Sequence, residues 1–123
     1  MITGIVNGDR EGVIRLRVRG ANGQEREVEG VIDTGFNGFL TLPPALIAAL
    51  GCPRIGFGRT LMANGKEELF DMYETTVFWD GQPRTVETDG ADTDALVGMS
   101  LIYGYELRMQ GKDSGRVTIE ALP

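Results

Sequence analysis

Val31-Ile32-Asp33-Thr34-Gly35 places an aspartate at the end of an apolar run, followed by a hydroxyl and by a glycine that permits a sharp turn. A carboxylate between a buried strand and a tight turn can be aimed by the backbone and kept from full hydration. It is the chain's leading candidate for chemistry. Working outward, Val13 to Val18 alternates apolar and polar residues, Asn22-Gly23 is a two-residue hairpin signal, and Glu25 to Ile32 climbs from polar into apolar. These predict a hairpin whose second strand ends at Asp33. Phe39 to Leu42 predicts another short strand, so the segment reads strand, Asp-Thr-Gly loop, strand.

A helix is expected next. Pro43 and Pro44 suit its start, Ala45 to Leu50 are mostly good helix formers, and Gly51 suits the left-handed position after the end. Arg59 to Met62 and Glu67 to Trp79 flank Ala63-Asn64-Gly65-Lys66, a second hairpin with a polar, glycine-containing tip. Asp80-Gly81 turns the chain, Arg84 to Thr88 predicts a strand, and Asp89 to Asp94 reads as an acidic surface loop before Ala95-Leu96-Val97-Gly98. A helical turn is expected around Ser100 to Tyr103, and Tyr105 to Met109 should pair with Arg116 to Leu122 across Gly111 to Gly115. Frequent turns with a single good helix predict a small β-barrel or sandwich. Met62, Met72, Phe78 and Trp79 are expected to pack in its core.

The 123 residues, with glycines and prolines spread throughout, read as one domain over 1–123. A net charge of −6 opposes binding to a polyanion. Arg15, Arg17 and Arg19 alternate with Ile14, Leu16 and Val18 and read as one solvated strand face, so no nucleic-acid partner is expected. Met1 reads as a native start; the N-terminus lacks the basic and apolar regions of a signal peptide, and no later run is long enough to span a bilayer. The expectation is a cytoplasmic protein with no membrane partner. Cys52 stands alone, which rules out an internal disulfide, and beside Pro53 it reads as a packing residue.

Histidine is absent altogether, which removes Ser-His-Asp and Cys-His catalysis and the His-containing zinc sites. Carboxylates are left to do acid and base work. Oxygen spacing in Asp89 to Asp94 does not fit a calcium loop, Gly56-Phe57-Gly58 lacks the tail of a phosphate loop, and no dinucleotide fingerprint follows a strand. No metal and no cofactor are expected.

Val31-Ile32-Asp33-Thr34-Gly35 taken with Ala95-Leu96-Val97-Gly98-Met99-Ser100-Leu101-Ile102 resembles the catalytic loop and the apolar-apolar-Gly segment of the retropepsin-like (clan AA) aspartic proteases. The order matches, with a flap-like hairpin between. Asp33-Thr34-Gly35-Phe36-Asn37-Gly38-Phe39-Leu40-Thr41-Leu42-Pro43 is similar to bacterial single-lobe members of that clan. The resemblance implies an all-β fold, a small closed β-barrel of the retropepsin type with one or two short helices.

It further implies an aspartic endopeptidase in which two carboxylates flank one water, one acting as base while the other, protonated, donates to the scissile carbonyl. This chain supplies one such aspartate, so the resemblance implies a homodimer with Asp33 of each subunit at the two-fold axis and one proton shared between them. Thr34 would bond across that axis and Gly35 would bring its amide to the carboxylate. Val97 and Gly98 would pack beneath the loop, where a larger residue at Gly98 should crowd the Asp33 strand.

Met62, Ala63, Asn64 and Gly65 would form a flap tip over an extended peptide or unfolded protein substrate, and Phe36 and Asn37 would also contact it. Ile2 to Val6 and Val117 to Leu122 would form a dimer sheet. Phe36 replaces the small residue usual in viral members, and Asn37 and Met99 replace an acid and an arginine that often pair, leaving a neutral brace. A second implication is a non-catalytic dimeric peptide-binding or scaffold module on the same fold.

Overall fold

A computed structural model describes residues 1–123. Ten strands and two short helices follow in the order β1 (Ile2–Val6), β2 (Gly12–Arg19), β3 (Glu25–Ile32), β4 (Leu40–Leu42), α1 (Pro44–Leu50), β5 (Arg54–Leu61), β6 (Glu67–Trp79), β7 (Gln82–Gly90), β8 (Ala95–Val97), α2 (Met99–Ile102), β9 (Tyr105–Met109) and β10 (Arg116–Ala121). The all-β expectation holds. Strands β2, β3, β8, β4, β7 and β6 are hydrogen-bonded in that order, and β6 returns to β2 through Arg17 opposite Phe78, Val18 opposite Val77 and Arg19 opposite Thr76. This closes a six-stranded barrel.

Alternation explains both the closure and the core. Ile14, Leu16 and Val18 of β2 point inward beside Val77 and Trp79 of β6, while Arg15, Arg17 and Arg19 face out towards Glu25 and Glu27. The guanidiniums of Arg17 and Arg19 also lie over the Phe78 ring, 4.1 and 5.0 Å from its centroid. Of the four residues expected in the core, Trp79 is there, with its ring edge-on to Tyr105. Phe78 instead packs under the arginines on the outer face, Met62 is exposed, and Met72 is half-buried. Cys52 is buried and accepts a hydrogen bond from the Thr75 hydroxyl.

Helix α1 buries Ile47 and Leu50, and Gly51 ends it in the left-handed conformation (φ 68°), with the amides of Gly51 and Cys52 bonded to the carbonyls of Ala48 and Ile47. Both Asn-Gly pairs make a different turn from the two-residue one expected at Asn22-Gly23. Only the glycine takes positive φ (Gly23 81°, Gly65 82°), and the amides of Gly23 and Gly65 bond back three residues to Gly20 and Met62. Each is therefore a three-residue loop with glycine in the left-handed bulge position. The two-residue turn with both residues left-handed is at Asp80-Gly81 (φ 51° and 81°).

Strand β1 lies between β2 and β10, and β10 lies between β1 and β9. Pairing with β2 covers only Gly4, Ile5 and Val6 of β1, and pairing with β1 covers only Arg116 to Ile119 of β10, so Ile2, Thr3, Glu120 and Ala121 each keep one unpaired edge within the chain. The outermost strands of the sheet are β5 and β9. No helix is long and apolar enough to cross a membrane.

Candidate active site

Two strands far apart in sequence seat Asp33. β3 and β8 pair in parallel, with Val31 opposite Leu96 and Ile32 opposite Val97, and the Asp33 amide continues the ladder to the Val97 carbonyl at 2.9 Å. The chain then turns at once, with the Phe36 amide bonded to the Asp33 carbonyl at 3.1 Å. The Gly35 amide donates to Oδ1 of Asp33 at 3.0 Å, so the turn aims the carboxylate as well as bending the backbone. Gly35 is not in a left-handed conformation; a Cβ there would stand 3.3 Å from the same Oδ1. Close approach to the carboxylate, rather than the sign of φ, is what glycine supplies at this position. Asp33 is half-buried, and Thr34 is exposed beside it.

The loop after Asp33 is stitched to the segment after β8. Gly98 donates to the Phe39 carbonyl at 3.0 Å, Met99 to Phe36 at 2.8 Å, and Ser100 to Gly38 at 3.1 Å, while the Ser100 hydroxyl donates to the Asn37 carbonyl. Met99 is thus held by a backbone bond and the Asn37 carbonyl by the Ser100 hydroxyl, so Ser100, which sequence reasoning passed over, supplies the side-chain brace. Val97 is fully buried beneath. A Cβ on Gly98 would stand 2.1 Å from the Gly38 carbonyl oxygen and 2.7 Å from Cδ2 of Phe36. The larger side chain would therefore strike the loop after Asp33 rather than the strand before it. The Phe36 ring also occupies the space where a Gly38 side chain would lie, so its bulk is accommodated by two glycines.

Asp33 opens into a cleft of about 810 Å³. Phe36, Asn37 and Phe39 line one side, Arg59, Glu68, Phe70 and Met72 come from the β5–β6 hairpin, and Glu87 and Asp89 come from β7. The hairpin lines the cleft through its stem. Its tip residues Met62, Ala63, Asn64 and Gly65 are exposed and stand outside the cleft lining of the single chain.

Asp89 does not begin a surface loop as expected; β7 continues through Gly90 by pairing in parallel with β4, Thr41 opposite Asp89. Burial raises the Asp89 carboxyl above its ordinary value, and the nearby charge of Glu87 adds to the shift. Alternation of Glu87 and Asp89 with buried Val86 and Thr88 was the available sequence signal for this acidic wall.

Comparison with solved structures identifies the fold. A retropepsin-like aspartic protease from Rickettsia conorii superposes with a TM-score of 0.59 over 98% of this chain and 89% of its own, at 16% sequence identity. The fold is retropepsin-like. A foamy viral protease-reverse transcriptase, solved with an RNA/DNA hybrid, also matches, with a TM-score of 0.54 and 20% identity over 76% of this chain. The chain spans only 12% of that viral protein's length. No family model matches the chain, and no curated protein matches it in sequence. In the retropepsin-like frame, Asp33 stands at the turn that follows β3, Val97-Gly98 lies under it, and the β5–β6 hairpin stands over the cleft.

Proposed function

We propose that the protein is an aspartic endopeptidase that hydrolyses extended peptide segments as a homodimer, with one Asp33 contributed by each subunit. The observation that carries this reading is the seat of Asp33: a half-buried carboxylate aimed by the Gly35 amide and opening into a cleft walled by a β-hairpin. Two such carboxylates brought together cannot both ionise easily, so the pair holds one proton and titrates as a unit. The ionised member draws a proton from the bound water as it attacks the scissile carbonyl. The protonated member donates to the carbonyl oxygen, and the resulting tetrahedral intermediate collapses with proton transfer to the leaving nitrogen.

In this reading the exposed Thr34 hydroxyl braces the two loops across the axis, and the Met62–Gly65 tip, which lies outside the cleft of one chain, reaches over the composite site. A strand-like substrate gains main-chain hydrogen bonds beneath the hairpin, and Phe36 and Asn37 contact it from below. Purified protein assayed against a peptide library should cleave, and a hydroxyl-containing transition-state mimic should block it. Asp33→Asn should lower kcat by about 10²–10⁴-fold, and wild-type activity should weaken at high pH as the shared proton is lost. Peptide binding with cleavage unaffected by Asp33→Asn would replace this reading with that of a binding module.

A further inference from the structure

We propose that the cleft selects substrates carrying a lysine or arginine side chain, whose charged end is held on the cleft floor by Asp89 and the Thr41 hydroxyl. The register of four strands builds this floor. Leu96 of β8 lies opposite Thr41 of β4, Thr41 opposite Asp89 of β7, and Asp89 opposite Met72 of β6. Leu40, Leu42, Val97 and Thr88, their neighbours along β4, β8 and β7, are fully buried. Alternation therefore turns Thr41, Leu96 and Asp89 towards the cleft, which Met72 also lines. Two apolar side chains thus flank one hydroxyl and one acid. A long aliphatic stem ending in a cation fits that row of groups.

Two independent observations show the polar pair to be without partners. Thr41 is 4% exposed, and of the three buried threonines it alone makes no hydrogen bond within the chain: Thr75 donates to Cys52 and Thr88 to the Val86 carbonyl. A buried hydroxyl without a partner costs free energy, and one on a cleft floor regains it by accepting from an ammonium or guanidinium N–H.

Asp89, for its part, has no cation. No basic group of the chain lies within salt-bridge distance of it or of Glu87. Arg59, the only basic residue lining the cleft, is drawn towards Glu67 at 3.7 Å. The charged groups nearest in register are instead acidic: Glu87 two residues before Asp89 on the same face, and Glu74 directly across from Glu87. A cation entering here offsets both the burial and the repulsion that raise the Asp89 carboxyl.

Position along the substrate follows from the sheet. Three strand spacings, about 14 Å, separate β3, which presents Asp33, from β7, which carries Asp89. An extended peptide advances about 3.4 Å per residue, so the basic residue belongs roughly two to four positions from the scissile bond, its side chain covering the remainder.

This selectivity rests on the endopeptidase reading, and two readouts keep them apart. Matched peptides carrying lysine, arginine, norleucine or glutamate at each of those positions are assayed for cleavage by wild type and for binding by Asp33→Asn, which holds them uncut. The lysine and arginine peptides should exceed the norleucine peptide about tenfold or more in kcat/KM and in affinity. Asp89→Asn should bring that ratio close to one. Asp89→Lys should invert it in favour of glutamate, which a merely structural role of Asp89 would not do. Glu87→Lys, at an exposed position, should also lower the ratio and serves if Asp89→Lys does not fold. Thr41→Val, which keeps the shape and removes the hydroxyl, should lower it about fivefold.

Cleavage without preference for the basic peptides, or with a preference that Asp89→Asn leaves intact, would overturn the pocket and leave the endopeptidase standing. Asp89-dependent binding of basic peptides without cleavage would leave the pocket standing and overturn the endopeptidase. Neither cleavage nor binding would overturn both.

Discussion

At the scale of single residues, two glycines and one acid carry the site's geometry. Gly98→Ala would drive a methyl group against the Gly38 carbonyl and the Phe36 ring. The expected loss is about 1–3 kcal/mol of stability, measured by chemical denaturation. A change within error would mean the loop yields freely. Asp89 makes a pH-dependent contribution of the opposite kind to a paired carboxylate. Its folded value is raised above the ordinary 3.8, so ionising it disfavours the folded state. The penalty is absent at pH well below 3.8 and builds as pH rises through the ordinary value towards the raised one. Asp89→Asn should therefore be more stable than wild type at neutral pH, with the difference fading in acid. A difference independent of pH would show that the charge is not its source.

At the scale of elements, α2 is too short to be held by its own hydrogen bonds and serves as a clamp on the loop that follows Asp33. Ser100→Ala removes its side-chain bond to the Asn37 carbonyl, at an expected cost of about 1 kcal/mol. Peptide cleavage should fall with stability retained well above the assay temperature; unchanged cleavage would show that the backbone bonds alone hold the loop. Strands and hairpins were largely legible in the sequence because alternation and turn residues act locally. The barrel strand β2 could be read from three arginines spaced by two.

What escaped was fixed by partners distant in the chain. Strand β7 runs on through Asp89 and Gly90, residues of low strand propensity, because β4 pairs with them. The five residues of β5 before Arg59 were missed because Gly56 and Gly58 weaken the strand pattern in a segment supported only by β6. The Asp-Thr-Gly loop itself was conspicuous. Its tie to Ser100 was not, since it is a contact between α2 and a loop distant in the chain, and the acidic wall opposite showed only as the alternation of Glu87 and Asp89 with Val86 and Thr88.

At the scale of the molecule, the retropepsin-like barrel holds one Asp33, and two are needed for the proposed chemistry. Cleavage per chain should therefore fall on dilution below the dimer dissociation constant, in step with the monomer fraction seen by sedimentation. Full activity per chain in a monomeric sample would end the shared-site reading. The parallel pairing of β3 with β8 has a further consequence for biosynthesis. Asp33 leaves the ribosome early, but the carbonyl that anchors its amide belongs to Val97, and the bonds that shape its loop come from residues 98–100. A nascent chain that has not yet made those residues carries the aspartate without its seat. The seat of Asp33 thus forms only once residues 98–100 have been made.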